Sequence, residues 1–208
     1  MSIDVLVTQT SAARQRFFQE HRQRFERLST EGQSPEILFI SCDDSRVIPE
    51  VIMGAQPGDL FVLRNIANVI PPYGTGEAAV GAALEYAIGH LRVKHIIVCG
   101  HTDCGGIKAL DVSLDQLRDP HLARWIEHAR AAQTQVDARG VDADTRHRAI
   151  VEQNVLLQLE NLRTYDVVRQ ALDKRLLTLH GWLYHLSSGQ ISYWDADVRR
   201  FADEGGSV

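Results

Sequence analysis

Ser41-Cys42-Asp43-Asp44-Ser45-Arg46 is the stretch that decides the fold, together with Gly100-His101-Thr102-Asp103-Cys104-Gly105-Gly106 further along the chain. Each stretch follows a short apolar run of strand character, 37–40 in the first case and 95–99 in the second. Neighbouring parallel strands that end in this way bring both loops to the carboxyl edge of one sheet, where open α/β sheets hold their sites. The sequence therefore predicts that the cysteine of the first loop lies beside the histidine and the cysteine of the second.

Cys42, His101 and Cys104 are predicted to bind a metal ion. Two thiolates and one neutral imidazole suit zinc, and three protein ligands leave the fourth tetrahedral position free, as in catalytic rather than structural sites. The two thiolates cancel the charge of the ion, so that an apolar pocket can hold it. His-x-x-Cys or Cys-x-Asp alone is weak evidence, because cysteine is often simply a small buried hydrophobic residue. Their joint occurrence after two strands, with glycines closing the second loop, favours the metal site.

Four motifs in series carry a family resemblance. They are Cys42-x-Asp44-Ser45-Arg46, Gln56-Pro57-Gly58-Asp59, Arg64-Asn65-Ile66-Ala67-Asn68 and His101-x-x-Cys104-Gly105-Gly106. Together they resemble the motifs of the β-class carbonic anhydrases. The match runs in order from about Gln33 to Lys108 and continues more loosely to about Trp194. No single motif justifies the family name, whereas four in the same order do.

The resemblance implies a zinc enzyme that hydrates carbon dioxide reversibly to bicarbonate and a proton, through attack by a zinc-bound hydroxide. Cys42, His101 and Cys104 would hold one Zn²⁺ per chain. Two thiolate ligands donate electron density to the metal and weaken its effect on the pKa of bound water. We therefore expect an activity that favours alkaline pH.

Asp44 and Arg46 would be the catalytic residues by the same resemblance. A carboxylate held by a guanidinium stays ionised and well oriented, so Asp44 would accept a hydrogen bond from the zinc-bound hydroxide. If Arg46 releases it, Asp44 can become the fourth zinc ligand and close the site. Asp43 departs from the smaller residue usual at its position and makes it a question which aspartate serves; Asp44 is favoured because Ser45 and Arg46 follow it. Without the cysteine, this pair would be read as a structural ion pair.

Five further residues match substrate-binding positions of the family: Gln33, Phe61, Ile66, Tyr86 and Gly105. Three of them are apolar or aromatic and would line a narrow pocket for carbon dioxide, while Gln33 would be a polar contact and the Gly105 amide would border the site. In the family, Gln33, Phe61 and Tyr86 come from the neighbouring subunit. The resemblance therefore implies a homodimer, or a tetramer or octamer built from dimers. Judged by sequence alone, the four side chains are more often found in a core or a turn than in a site.

The family also has a type that binds bicarbonate at a second site, built around a tryptophan, an arginine and a tyrosine. Arg64 and Tyr184 match two of these positions, but Phe39 stands at the tryptophan position. With Gln33 also in place, this pattern favours the constitutively open type, in which Asp44 stays off the zinc at neutral pH.

Two other functions fit the same residues. The same zinc site can hydrolyse carbonyl sulfide or carbon disulfide, and selectivity among these gases depends on access channels and assembly. A non-catalytic zinc protein is the other alternative, with the fourth position filled by Asp44 or by Cys99, the third cysteine of the chain. Arg46 argues against the non-catalytic protein, because it competes for Asp44.

Composition restricts partners and compartment. A net charge of −5 over 208 residues, without a block of Lys and Arg, gives no attraction for nucleic acid or for an anionic membrane. No run approaches membrane-spanning length, and the N-terminal residues lack the apolar segment of a signal peptide. Three cysteines without a disulfide framework indicate a reducing compartment. The sequence predicts a cytoplasmic protein, whose substrate is the small molecule carbon dioxide or bicarbonate.

The predicted fold is α/β, with a central, mostly parallel sheet flanked by helices, an N-terminal helical arm and a C-terminal hairpin of edge strands. One domain is expected over 1–208, consisting of the arm (1–30), a zinc-site core (35–108), and helices with edge strands (109–208). Predicted helices span 11–28, 47–53, 75–91, 122–136 and 145–162, and another runs from a Thr164 cap to 173. Predicted strands include 60–64 and 176–182, and a turn at 188–189 leads into the hairpin strand 190–194. The polar tail 203–208 is expected to be mobile.

Overall fold

Six strands form one mixed sheet in the computed structural model, which describes residues 3–75, 78–112 and 118–203. The strands are β1 (Ile37–Cys42), β2 (Leu60–Asn65), β3 (His95–His101), β4 (Thr178–Tyr184), β5 (Ile191–Asp195) and β6 (Arg200–Asp203). Their order across the sheet is β2-β1-β3-β4-β5-β6; the first four are parallel, and β5 and β6 are antiparallel to their neighbours. The predicted α/β fold with a mostly parallel sheet is confirmed.

Nine α-helices accompany the sheet within the described residues. They are α1 (Ile3–Glu20), α2 (Arg22–Glu31), α3 (Pro49–Met53), α4 (Ala78–Glu85), α5 (Gly105–Lys108), α6 (Pro120–Ile126), α7 (Arg130–Ala138), α8 (Ala143–Leu162) and α9 (Asp166–Asp173). Short 3₁₀ turns follow β2, α5 and α6. No helix in the described part of the chain is both long and apolar enough to cross a bilayer.

The crossover from β1 to β2 follows from its glycines and prolines. Pro49 opens α3, where its missing N–H has no partner to lose, and Gly54 ends it with a φ of 59°. Gly58 then turns the chain with a φ of 87°, and the Asp59 carboxylate accepts the Gln56 N–H at 2.8 Å. The predicted short helix and tight turn are both present.

One face of the sheet is covered by α8 together with α4 and α9, and this is where the main core lies. Helix α8 crosses β3 and β4 at two glycines, since a Cβ at Gly100 would lie 2.8 Å from Val155 Cγ2 and one at Gly181 would lie 3.1 Å from Leu159 Cδ1. The close approach of α8 therefore depends on strand positions without side chains.

The other face carries a much smaller cluster, built on the fully buried Phe39 and Cys99 with Ile97 between them. Trp182 of β4 meets Phe39 edge-on, with ring centroids 6.0 Å apart, and remains half-buried. Among the described helices, α3 supplies the side chains that pack against this cluster. Helix α1, at the N-terminus, buries none of its own residues.

The predicted N-terminal helix was wrong in extent. One helix over 11–28 was expected, whereas α1 already begins at Ile3 and the chain breaks at His21 before α2. The residues before Ser11 include β-branched Ile3, Val5 and Val7, which have low helix propensity and hid the true start.

Other element boundaries also differ from the prediction. The helix expected over 122–136 is interrupted by a 3₁₀ turn, and the helix expected to end at Leu91 becomes a π-helix from Tyr86. The first turn of the helix predicted over 75–91 includes residues 76–77, which lie outside the described residues. Thr164 does not cap α9, because Tyr165 occupies that position; the Thr164 hydroxyl instead donates to the Asn161 carbonyl at 2.6 Å.

The C-terminal edge of the sheet was only partly predicted. The hairpin of β4 and β5 is present, but β6 adds an outer strand that was not predicted. Asp203, placed in a mobile tail by the prediction, ends β6, and residues 204–208 lie outside the described residues. The strand is short, and its apolar content is low, so no alternating pattern marks it.

Candidate metal centre

Cys42, His101 and Cys104 come together at the carboxyl edge of the sheet, as predicted. Cys42 ends β1 and His101 ends β3, and these strands are parallel neighbours. Cys104 lies directly before α5, at the end of the short loop that follows β3. One ligand atom from each residue lies within 4.8 Å of the other two, and all three residues are buried. This group can hold a metal ion.

The imidazole of His101 is oriented as a ligand. Its Nδ1 lies 2.9 Å from the Thr102 carbonyl, which can only accept a hydrogen bond, so Nδ1 carries the proton and Nε2 presents a lone pair. Nε2 is buried and finds no hydrogen-bond partner in the described part of the chain. A buried nitrogen of this kind is costly unless something occupies its lone pair, and a metal ion would do so.

The two thiols perturb each other. Their sulfur atoms lie 4.0 Å apart in a buried environment. The hydrogen bond from the Cys104 thiol holds the pKa of Cys42 well below its ordinary value, and the same contact together with burial raises the pKa of Cys104. A divalent cation bound between the two sulfurs would stabilise both of them as thiolates.

A backbone amide also points at the first sulfur. The Ala67 N–H donates to Cys42 Sγ at 3.3 Å, and Ala67 is fully buried. Both cysteines belong to a cluster of apolar side chains from α5, α6, α7 and α8. The two cysteine sulfurs thus lie in an apolar pocket, where charge interactions are stronger than in water.

Asp44 is held by Arg46 at the mouth of this pocket. Oδ1 accepts the Arg46 backbone N–H and Nε–H, both at 2.9 Å, and Oδ2 accepts from Nη2 at 2.7 Å. These hydrogen bonds hold the pKa of Asp44 well below its usual range. Oδ2 lies 3.9 Å from His101 Nε2, whereas Asp43 is exposed. Of the two neighbouring aspartates, Asp44 is thus the one directed at the ligands.

Arg46 has a second carboxylate partner. Its Nη1 donates to Asp103 Oδ2 at 3.1 Å, and Asp103 also pairs with Lys108 of α5. Asp103 lies in the loop between His101 and Cys104 and adopts a positive φ of 61°. The guanidinium therefore joins the two loops that carry the predicted ligands.

Arg64 stabilises the first loop from β2. Its Nε donates to the Cys42 carbonyl at 3.1 Å, and its Nη2 donates to the Asp44 carbonyl at 2.8 Å. Because both contacts are to the backbone, they fix the direction of the loop without engaging the carboxylate.

Known proteins are similar to this chain over most of its length. A family model described as carbonic anhydrase matches residues 37–191. A carbonic anhydrase of Pseudomonas aeruginosa is 45% identical over 182 residues, which cover 86% of this chain and 81% of the relative. Carbonic anhydrase 1 of Escherichia coli O157:H7 is 40% identical, with 88% and 84% covered.

Solved structures agree on the class. The β-carbonic anhydrase CcaA superposes with a TM-score of 0.91 at 38% identity, over 97% of this chain and 99% of that one. The chain belongs to the β-class carbonic anhydrases. A tetrameric β-carbonic anhydrase of Sordaria macrospora has a TM-score of 0.80 at 32% identity, with 91% and 95% covered. The protein is thus an enzyme, and the reaction of its family is the reversible hydration of carbon dioxide to bicarbonate.

The predicted substrate residues of this carbonic anhydrase fall into two groups. Ile66 precedes Ala67 and Gly105 follows Cys104, so both border the ligands in the same chain. Phe61 does not, because it pairs with Leu38 in the sheet, four positions before the end of β2, or about 13 Å along the strand.

The ring of Tyr86 contacts the ring of Phe61 and does not border the predicted metal ligands of its own chain. The two rings lie 5.7 Å apart, and Tyr86 is 45% exposed. Gln33 is exposed in the segment before β1, at the opposite end of that strand from the ligands. Within one chain, the structure therefore brings together only part of the predicted substrate pocket.

The described cavities differ in their distance from the ligands. One of about 520 Å³ adjoins Ile66 and is lined by Leu122 and Trp125, with His121 and Arg124 at its edge. A larger one, about 970 Å³, lies between α7, α8 and the β5–β6 hairpin, away from the carbonic anhydrase site. The larger cavity is not the site of the chemistry, because its lining includes none of the three predicted ligands.

Several contacts around the site were not predicted from the sequence. They are the backbone contacts of Arg64, the contact of Asp103 with Arg46 and the Ala67 amide. These roles depend on backbone geometry that no motif states. One signal was available: Asn154, Gln158 and Asn161 stand at helical spacing on the face of α8 that carries its apolar residues, and they hold the segment that contains Ala67.

Proposed function

We propose that Cys42, His101 and Cys104 bind one zinc ion per chain, and that this carbonic anhydrase hydrates carbon dioxide there. The observation that carries the proposal is the convergence of three buried donors within 4.8 Å, one of them a histidine nitrogen without a hydrogen-bond partner in the described chain. Two sulfurs and one nitrogen are a donor set that suits zinc. A zinc ion lowers the pKa of a coordinated water and supplies hydroxide near neutral pH.

Asp44 is proposed as the residue that orients the nucleophile. Its carboxylate is fixed by Arg46 and stays ionised at neutral pH, so it can only accept a hydrogen bond from the attacking hydroxide. Accepting that bond directs the oxygen lone pair toward carbon dioxide. Both oxygens of Asp44 accept hydrogen bonds from Arg46, and this competition for the carboxylate supports the open type.

The substrate pocket is proposed to be shared between two subunits. Ile66 and the Gly105 amide would border carbon dioxide from the same chain as the metal. Gln33, Phe61 and Tyr86 would come from the neighbouring subunit, which explains why they lie far from their own chain's ligands.

We further propose a homodimer as the minimal unit, with a tetramer or octamer built from it. The half-buried aromatic side chains Trp182, Tyr184 and Tyr193 lie on the thinly covered face of the sheet. Helix α1 exposes Ile3, Leu6 and further apolar side chains without burying any. Covering that face with α1 of a second copy would remove both exposed apolar surfaces from water.

Further proposals concern regulation by bicarbonate, the cellular compartment and the domain organisation. In this structure, Arg64 is engaged by two backbone carbonyls and Phe39 fills the position of the family's tryptophan, so we propose that bicarbonate does not regulate the enzyme at Arg64 and Tyr184. The three cysteines are free thiols, which supports a reducing, cytoplasmic location. The chain over 1–208 is proposed to act as one domain.

Stopped-flow carbon dioxide hydration with a pH indicator, on metal-quantified protein from neutral to alkaline pH, tests the proposal. We expect about one zinc per chain and rapid turnover already near neutrality. Turnover only well above neutrality would overturn the open type. Full zinc without turnover at any pH would overturn carbon dioxide as the substrate, and the same protein would then be assayed with carbonyl sulfide and carbon disulfide. A Cys42→Ser variant that keeps full zinc affinity would overturn the ligand set.

A further inference from the structure

Three buried amide side chains form a ladder along α8: Asn154, Gln158 and Asn161. Their spacing places them on one face of the helix. Their exposed fractions are 1%, 0% and 8%, although each side chain is polar. Burial of three amides on one helix face is costly unless their hydrogen bonds are made, so the contacts they make define their role.

The ladder holds the irregular segment that follows β2. Asn154 Nδ2 donates to the Ala67 carbonyl at 3.0 Å, and Gln158 Oε1 accepts the Ile70 N–H at 2.7 Å. Asn161 Nδ2 donates to the Ile70 carbonyl at 2.8 Å. Gln158 links the other two, donating to Asn154 Oδ1 at 2.8 Å and accepting from Asn161 at 3.1 Å. These side chains therefore replace the strand partners that this segment lacks.

The segment needs such support because its backbone is strained. Ala67 and Asn68 have positive φ angles of 61° and 48°, a region that residues with a Cβ rarely adopt. Two consecutive residues in this conformation persist only when their surroundings fix them. Asn154 contacts the first of the two directly.

Ala67 is also the residue whose N–H donates to Cys42 Sγ at 3.3 Å. Its carbonyl is held by Asn154, and the preceding carbonyl, of Ile66, accepts from Trp125 Nε1 at 2.8 Å. Gly106 lies against the other side, since a Cβ there would lie 3.0 Å from the Ala67 Cβ. The N–H that points at the sulfur belongs to the peptide unit held by Trp125, whereas Asn154 holds the following unit, so the backbone of Ala67 is fixed from both sides.

We propose that Asn154 is a positioning residue for the metal site, which acts on the Cys42 sulfur by fixing the backbone of Ala67 on its carbonyl side. The inference rests on the proposed function, because it takes Cys42 as a ligand. An N–H directed at a thiolate stabilises its charge and withdraws electron density from the sulfur. A sulfur polarised in this way would donate less electron density to a bound metal, and water coordinated there would then be more acidic. Asn154 thereby offsets part of the penalty that two thiolate ligands impose on an enzyme working near neutrality.

Asn154→Leu, which removes the donor to Ala67 without leaving room for water, is the main test. Asn161→Leu is the matched control, because it removes an equally buried amide from the same ladder but frees the Ile70 carbonyl instead. Both variants are loaded with Co²⁺ to record the sulfur-to-cobalt charge-transfer band, and zinc affinity is measured by competition with a chelator. Thermal unfolding reports the cost in stability for each.

Asn154→Leu is expected to move the charge-transfer band to longer wavelength, because a sulfur without the N–H is easier to oxidise. It should also lower the apparent zinc affinity at neutral pH by about tenfold or more, as is usual when a partner of a metal ligand is lost. The pH profile of turnover should shift toward alkaline pH. Asn161→Leu should lose stability while the band and the zinc affinity stay as in the wild type.

Two results would overturn the proposal: an unmoved band in Asn154→Leu, or an equal movement in both variants, which would make the ladder a general brace. If Asn154→Leu does not accumulate as folded protein, Asn154→Ala gives the same comparison with less crowding. A wild-type protein without any sulfur-to-cobalt band would instead overturn the proposed ligand set, so the two failures can be told apart.

Discussion

Arg46 connects two aspartates on different loops, and the two contacts differ in kind. Asp44 accepts three hydrogen bonds from Arg46. Asp103 accepts one side-chain hydrogen bond, from Arg46 Nη1 to Oδ2 at 3.1 Å, and its own side chain is 52% exposed. Exposed ion pairs contribute little to stability, so the tighter contact with Asp44 decides the position of the guanidinium. Asp103→Asn should therefore change turnover much less than any substitution at Asp44 or Arg46.

Asp44→Asn is predicted to abolish most turnover while zinc stays bound. The amide cannot remain a pure acceptor, so the nucleophile loses its orientation, and we expect a loss of roughly 100-fold or more. Stopped-flow hydration and metal quantification on the same preparation measure both quantities. Asp43→Asn is the matched control, since it removes the same charge from the exposed neighbour and should retain near wild-type turnover. Equal losses in the two variants would assign the effect to charge alone.

Arg46→Ala should reduce both neutral-pH activity and stability. Because Arg46 depresses the pKa of Asp44 in the folded state, their contact stabilises folding above the ordinary aspartate pKa of about 3.9 and is lost as the pH falls through the lower folded value. The difference in free energy of unfolding between wild type and variant should thus be full at pH 7 and shrink below about pH 4. Urea unfolding of metal-free protein at several pH values measures it. A difference that grows in acid would contradict the assigned cause.

The sequence predicted the residues of this site better than their surroundings. Cys42, His101 and Cys104 could be placed together because two strands ended in loops of suitable chemistry. The Ala67 amide and the carbonyls held by Arg64 could not be predicted, because a backbone group acts through its direction and leaves no trace in residue identity. Phe61 and Tyr86 matched by resemblance, but nothing in the chain's own pattern separates such positions from ordinary core.

Helix α8 packs very close to the sheet, because it crosses two strands at Gly100 and Gly181. Gly100→Ala would place a Cβ 2.8 Å from Val155 Cγ2 and is predicted to destabilise the fold by about 1–3 kcal/mol. Urea unfolding measures the effect, and adding Val155→Ala should restore part of it by making room. Gly89→Ala is the control, since a Cβ there meets nothing within 4 Å. A control that destabilises as much as Gly100→Ala would refute the packing explanation.

Element prediction succeeded where turn chemistry was explicit. Gly54 and Gly58 marked the end of α3 and the turn before β2, because each is needed for a specific backbone shape, whereas the predicted start of α3 was two residues too early. It failed at β6, whose few residues become a strand only by pairing with β5. The break at His21 and the start of the π-helix at Tyr86 likewise carry no glycine or proline that would mark them in the sequence.

At the scale of the whole molecule, the shared pocket makes a prediction about mixed dimers. A chain with Cys42→Ser cannot build its own metal site but still offers Phe61 and Tyr86 to a partner. A chain with Phe61→Ala keeps its metal site. Each homodimer should be nearly inactive, whereas differently tagged chains purified as mixed dimers should recover about half of the wild-type activity, because one of two sites is complete. Carbon dioxide hydration per mole of dimer measures the recovery.

The reversed combination is the control for that experiment. When Cys42→Ser and Phe61→Ala are placed in one chain and paired with a wild-type chain, neither site is complete if the pocket is shared. If every site used only its own chain, this mixed dimer would instead keep one fully active site, and the first mixed dimer would stay inactive. The two architectures thus give opposite results in both arrangements.

Helix α1 buries none of its residues within its own chain, although it spans 18 residues. An isolated helix of that length is marginal in water, so its order depends on what it packs against. Dilution of the proposed dimer would therefore separate the two subunits and, at the same time, unfold α1 in each of them. Reassembly after such dilution should follow second-order kinetics in chain concentration, and far-ultraviolet circular dichroism should lose helical signal as the protein is diluted.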